Sequence, residues 1–129
     1  MTPPNPLDGW AIDRSQIRSI GQGLQRPECI LAEPNGDLWV ADARGGVTHI
    51  RPDGQQRFIG QTRDERFERA QGQTVQDAEA KFTTGTLPNG LAFAANGDIL
   101  ISNFGTDVLE VMTREGHTRT LYEIGRAHV

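Results

Sequence analysis

One phrase is written twice in this chain. Pro27-Glu-Cys-Ile-Leu-Ala-Glu-Pro-Asn-Gly-Asp-Leu-Trp-Val-Ala-Asp42 returns without a gap, about sixty residues later, as Pro88-Asn-Gly-Leu-Ala-Phe-Ala-Ala-Asn-Gly-Asp-Ile-Leu-Ile-Ser-Asn103. Each copy is an apolar run, an Asn-Gly-Asp turn and a second apolar run, which predicts a β-hairpin with a tight Asn-Gly turn. Third strands are expected from Val47 to Ile50 and Val108 to Val111, after Arg44-Gly45-Gly46 and Gly105-Thr106-Asp107. Fourth strands are expected from Gln55 to Ile59 and His117 to Tyr122, after Asp53-Gly54 and Glu115-Gly116. Four short antiparallel strands repeated as a unit are the sequence form of a propeller blade. The expected fold is all-β, an incomplete β-propeller of about two blades, with function at the strand ends that face the ring's central channel.

The chain has 129 residues, whereas a propeller needs about four blades or more to close. A net charge of −4 without a basic cluster argues against nucleic acid and anionic membrane as partners. Cys29 is the single cysteine and permits no intramolecular disulfide, so a reducing, cytoplasmic setting is expected. No leader and no membrane span are expected, because no charged-then-apolar stretch opens the sequence and no apolar run nears the roughly 18 residues that a span requires.

Four regions follow from the repeat. Residues 1–20 form an extension in which Ile17 to Ile20 is expected as a short strand able to close a ring. Residues 21–122 are a partial propeller with blades at about 24–60 and 86–122. The stretch 60–85 between them, rich in Gln, Arg, Asp and Glu, is expected as a polar surface loop, either a solvated connector or a carrier of binding determinants. Residues 123–129 break the pattern and, read back into codons, resemble a sequencing-library adapter, so they are expected to be non-native and the frame truncated after two blades.

Glu28 and Asn89 occupy equivalent places, directly after the proline that opens each copy. A carboxylate and an amide carbonyl are hard oxygen donors of the type Ca²⁺ or Mg²⁺ selects, and blades contributing one oxygen each are one way to assemble such a site. Alternatively both side chains only hydrogen-bond neighbouring backbone at strand starts. Asp42 and Asn103 close the second strands and are expected to accept hydrogen bonds from the turns that follow. The two Asn-Gly-Asp segments lack the alternating ligands and terminal Glu of a calcium loop, and are expected as turns. Gly21-Gln-Gly23 lacks the third glycine of a dinucleotide site, and no serine stands in a nucleophile elbow. His49 and His117 are expected in surface or packing roles, Cys29 as a small packing residue and Trp39 between blades.

The segments from Arg26 to Val47 and from Leu87 to Asp107 resemble the senescence marker protein, gluconolactonase and luciferin-regenerating-enzyme group of six-bladed β-propellers. The resemblance implies a metal-dependent lactonase whose first inner strand begins with a Glu ligand, matched by Glu28. Asn89, within Pro-Asn-Gly-Leu, is similar to that family's Asn ligand. It further implies Ca²⁺ or Zn²⁺ as cofactor and a small lactone as substrate; the family's Asp ligand and general base have no counterpart here. Propellers similar to NHL or strictosidine-synthase blades imply a different role, as binding scaffolds without hydrolase activity.

Overall fold

Turn chemistry sets the register of every hairpin. The computed structural model describes residues 1–62 and 87–123. In the first hairpin Gly36 N–H donates to Glu33 O at 2.9 Å, Glu33 N–H donates to Asp37 O at 2.9 Å, and the Asn35 side chain accepts from Asp37 N–H at 3.0 Å. Gly36 takes φ 92° while Asn35 stays in the right-handed half of the map. This is a type I turn closed by a left-handed glycine, so the loop is one residue longer than the two-residue Asn-Gly turn expected from sequence. The same bonding recurs at Ala94–Asp98, Arg51–Gln55 and Thr113–His117, with Gly97, Gly54 and Gly116 in the left-handed position.

These turns connect two four-stranded antiparallel sheets. The first contains β1 (Ile30–Ala32), β2 (Leu38–Asp42), β3 (Gly46–Ile50) and β4 (Gln56–Gly60); the second contains β5 (Pro88–Phe93), β6 (Ile99–Asn103), β7 (Val108–Met112) and β8 (Thr118–Glu123). Strand order follows the sequence in both, as in propeller blades, and the sheets do not close into a barrel. Asp42 pairs with Gly46 across the β2–β3 turn, whereas Asn103 pairs with Val108 across the β6–β7 turn. The second copy therefore carries one extra residue there, and Thr48 corresponds in register to Glu110.

Period-two alternation decides what the sheets bury. Trp39, Val47 and Ile59 face Ile99, Ile101 and Met112 in one apolar cluster, with Leu31, Leu91 and Phe93 packed at its margin. Burying each such side chain stabilises the fold by about 1.5–3 kcal/mol, so the contact between sheets is the main adhesive. Trp39 lies between the blades, as expected, with the His49 ring stacked on it at 4.1 Å between centroids. The opposite face of the first sheet buries Val40, Thr48 and Ile50. Gly21 lies there against Ile50 and Leu24, and Gln25 O accepts from Ala43 N–H at 2.8 Å.

The strand expected over Ile17 to Ile20 does not form among the described residues. Both isoleucines are exposed, and a 3₁₀ turn at Arg14–Gln16, capped by the Asp13 side chain, precedes them. No neighbouring strand offers its backbone there; the contact to β4 is made one step later, where Gln22 N–H donates to the Gln56 side chain at 3.0 Å. Most of the 60–85 stretch lies outside the described residues. Its beginning does not: Gln61 is buried, and Thr62 bridges to His117 beside β8. Glu123 belongs to β8, paired with Val108, rather than to the irregular tail expected from 123 onward; residues 124–129, including His128, lie outside the described residues.

Candidate functional site

The first strands of the two blades lie side by side, and their beginnings meet. Glu28 stands two residues before β1, on a tight turn in which its N–H donates to Arg26 O at 2.8 Å. Arg26 adopts φ 47°. A non-glycine residue in the left-handed region is uncommon, and a following proline pushes the preceding residue toward extended conformations, so this backbone is strained twice over. Asn89 is set by a different device. β5 pairs with β6 through Pro88–Asn103 and Gly90–Ser102, leaving Asn89 as the extra residue of a β-bulge. Bulges re-aim a side chain out of the ladder. Here the Asn89 Nδ2 donates to Glu28 Oε2 at 2.8 Å, joining two residues 61 positions apart. The Arg26 guanidinium is ion-paired to the other oxygen, Oε1.

Backbone and buried side chains hold both beginnings in place. Cys29 O accepts from Ala41 N–H at 2.9 Å, and the Cys29 sulfur accepts from Leu91 N–H at 3.3 Å, linking the inner strands of the two blades. The expected packing role of Cys29 is thus joined by a hydrogen bond. Asn103 Oδ1 accepts from Leu87 N–H at 2.9 Å and from Gly105 N–H at 3.1 Å. Asp42 Oδ1 accepts from Arg44 N–H at 3.0 Å. Both residues therefore receive the following turn, as expected, and Asn103 also anchors the start of β5 one residue before the proline that precedes Asn89.

Beneath the surface these two positions carry networks of opposite polarity. Asp42, fully buried, receives Arg44 Nε at 2.9 Å, Arg44 Nη2 at 2.7 Å and Thr48 Oγ1 at 2.9 Å. Burial works to raise the Asp42 pKa, but the Arg44 and Thr48 hydrogen bonds outweigh it and hold the carboxyl below its ordinary range. In the second blade the acid moves to the third strand: Glu110 Oε2 accepts from Asn103 Nδ2 at 3.2 Å and from Gln61 Nε2 at 2.8 Å. Sequence reasoning missed Glu110 and Gln61, because the extra residue in the turn hides the match between Thr48 and Glu110.

Arg26, Glu28, Ala43, Pro88, Asn89 and Phe104 line a small recess. A larger groove of about 680 Å³ runs between Ser19–Gln22 and the turns at Gly36 and Gly54. It contains neither Glu28 nor Asn89. Among the described residues no three His, Cys, Asp or Glu side chains gather, and no helix is long and apolar enough to cross a membrane. His49 Nε2 lies 2.9 Å from Asp37 Oδ2 and the His117 ring 3.4 Å from Thr62 Oγ1, both away from Glu28. No family model, curated protein or solved structure matches this chain.

The donor chemistry of Glu28 and Asn89 fits a hard divalent cation. A carboxylate and an amide carbonyl can supply two of its six or more oxygens. The amide presents its nitrogen to Glu28 in the present arrangement, so ligation by Asn89 requires the amide to turn.

Proposed function

We propose that these blades belong to a metal-dependent lactone hydrolase of the gluconolactonase-like kind, acting on sugar lactones or related esters, with Glu28 and Asn89 as two oxygen ligands of Ca²⁺ or Zn²⁺. The observation that supports this reading is the 2.8 Å contact between their side chains, made by residues from different blades at the inner ends of both. A bound cation would polarise the lactone carbonyl and lower the pKa of a water. Glu28 would supply the negative charge that retains the ion, and Asn89, aimed by its bulge, a neutral oxygen. In the six-bladed ring that this reading requires, the remaining ligands and the general base come from other blades.

A pH-stat assay of the six-bladed protein with an aldonolactone, run with Ca²⁺, with Zn²⁺ and with chelator, tests the proposal. Metal-dependent hydrolysis that disappears in Glu28→Gln supports it; undiminished hydrolysis in Glu28→Gln, or none with either metal, overturns it. A second reading, a binding scaffold without hydrolase activity, draws on the Arg26 ion pair, which satisfies the Glu28 charge without a metal. Calorimetric titration with both metals separates the two, because the scaffold reading expects no heat of metal binding that depends on Glu28.

A further inference from the structure

We propose that copies of this chain pack head to tail, the open face of the second sheet of one copy against the outward face of the first sheet of the next, in a series that closes into a ring. The repeat shows which face lacks its neighbour. By strand register Leu31, Trp39, Val47 and Ile59 of the first sheet correspond to Ala92, Leu100, Leu109 and Tyr122 of the second. In the first sheet these four form the apolar face that the second sheet covers. In the second sheet the positions stay apolar, but among the described residues no further sheet packs on them. Ile59 is 5% exposed, whereas its equivalent Tyr122 is 69% exposed. An open apolar face of this kind marks an interaction surface.

The contact between the two sheets identifies the occupant. There Ile99, Ile101 and Met112, with Leu91 at the margin, meet the Trp39 face, and their register equivalents in the first sheet are Leu38, Val40, Ile50 and Ile30. Every one of these is apolar. They lie on the side turned away from the second sheet, where Gly21 shields Ile50 but Ile30 is 56% exposed, and Phe58 and Ile20 are exposed too. The two ends of one copy are therefore complementary in the way its two sheets are, and a contact between unlike ends is heterologous. Pro52 and Ala94 stand where the internal contact pairs Arg114 with Glu33, so the contact between copies is the more apolar of the two. Copies joined in this way turn in the same sense as successive blades, which close at about four to eight blades, or about two to four copies. Glu28 and Asn89 then alternate around the inner strand ends of the ring. No cation at Glu28 is needed, so the association does not depend on the lactonase reading.

Sedimentation velocity of the chain over a concentration series tests this, with far-ultraviolet circular dichroism to show that each variant keeps its strands. Wild type is expected as one discrete species of about two to four copies. Tyr122→Lys and Leu100→Lys each put a charge into the open face of the second sheet, and Ile30→Lys and Ile20→Lys each put one at the opposite end. Every one of them should weaken association by about a hundredfold or more. Two variants at each end keep the test decisive where one fails to fold. Tyr122→Lys retains a sound first-sheet end and Ile30→Lys a sound second-sheet end, so mixed together they should form a one-to-one dimer although neither associates alone. A monomeric wild type, a size that keeps growing with concentration, sensitivity to lysine at one end only, or a mixture that stays monomeric overturns the proposal.

Discussion

Arg114, in the last hairpin turn of the second blade, donates from Nη2 to Glu33 Oε1 of the first at 2.6 Å, across 81 positions of sequence. Its Nε donates to Gly97 O at 2.9 Å, and its guanidinium lies over the rings of Trp39 and Phe93 at 5.1 and 5.5 Å. Glu33 Oε2 in turn accepts from Trp39 Nε1 at 2.9 Å. The apolar cluster between the blades is thus sealed at one end by a charged clasp whose carboxylate leaves neither oxygen idle.

The clasp gives stability a pH dependence. The Arg114 hydrogen bond, assisted by that of Trp39, holds Glu33 below its ordinary value of 4.5. A carboxyl with a depressed folded pKa stabilises fully above its unfolded value and loses that contribution as pH falls through the folded one, because the unfolded chain takes up the proton first. Urea midpoints measured from neutral pH downward should fall below about pH 5, and less steeply in Glu33→Gln. Since Arg114 is partly exposed, the coupling in a Glu33→Gln, Arg114→Gln double-mutant cycle should be only about 1 kcal/mol.

The inverted networks at Asp42 and Asn103 predict an inverted pattern of tolerance. Asp42→Asn turns an amide nitrogen toward the Arg44 and Thr48 donors and should cost about 2 kcal/mol. Asn103→Asp sets a second carboxylate beside Glu110 and should cost about 3 kcal/mol at neutral pH. Adding Glu110→Gln to Asn103→Asp should recover part of that loss, whereas adding it to Asp42→Asn should be additive. Chemical denaturation of these four variants and of Glu110→Gln alone checks all of these.

Gly46 is pressed against the neighbouring strand. A Cβ built there would lie 2.0 Å from Ile59 O, a backbone atom that cannot swing away. Gly46→Ala should therefore destabilise the first sheet by about 3 kcal/mol or more, seen as loss of cooperative unfolding by circular dichroism. Val108→Ala, at the equivalent place in the second sheet, should cost about 1 kcal/mol, since a side chain is already accommodated there.

Chemistry and stability should separate between neighbouring positions. Under the proposed lactonase reading, Glu28→Gln in a six-bladed protein should abolish most lactone hydrolysis while leaving the melting temperature nearly unchanged, because its side chain is exposed at 38%. Asp42→Asn should lower the melting temperature and leave kcat/KM largely intact. Activity lost in proportion to stability in both variants would contradict the assignment of Glu28 as a ligand.

What the sequence disclosed was the part governed by local chemistry. The four hairpin turns, the placing of Trp39 between the blades, and the capping by Asp42 and Asn103 each depend on residues a few positions apart, and their spacing was legible. The turn class was not, because Asn-Gly suits both a two-residue loop and a type I turn with a left-handed glycine. Longer relationships left weaker marks: nothing near Glu33 indicates Arg114, and nothing near Glu110 indicates Gln61. The equivalence of Glu28 and Asn89 was visible in the repeat, but not the bulge that aims one or the arginine that occupies the other. A left-handed residue before proline runs against the local rule, so no local reading finds it.

The unequal turns after Asp42 and Asn103 bear on how such a repeat can diverge. The two copies match in length at every turn on the side of the Arg114 clasp, and differ on the side where Arg26, Glu28 and Asn89 gather. Asp107, left-handed at φ 53°, takes up the added residue, so the strands on either side keep their pairing. A duplicated blade thus has one end where its ancestry stays readable and another where single insertions are absorbed without a change of register. Novelty in this architecture can accumulate one residue at a time beside the recess, with the opposite end serving as the fixed reference against which each change is laid.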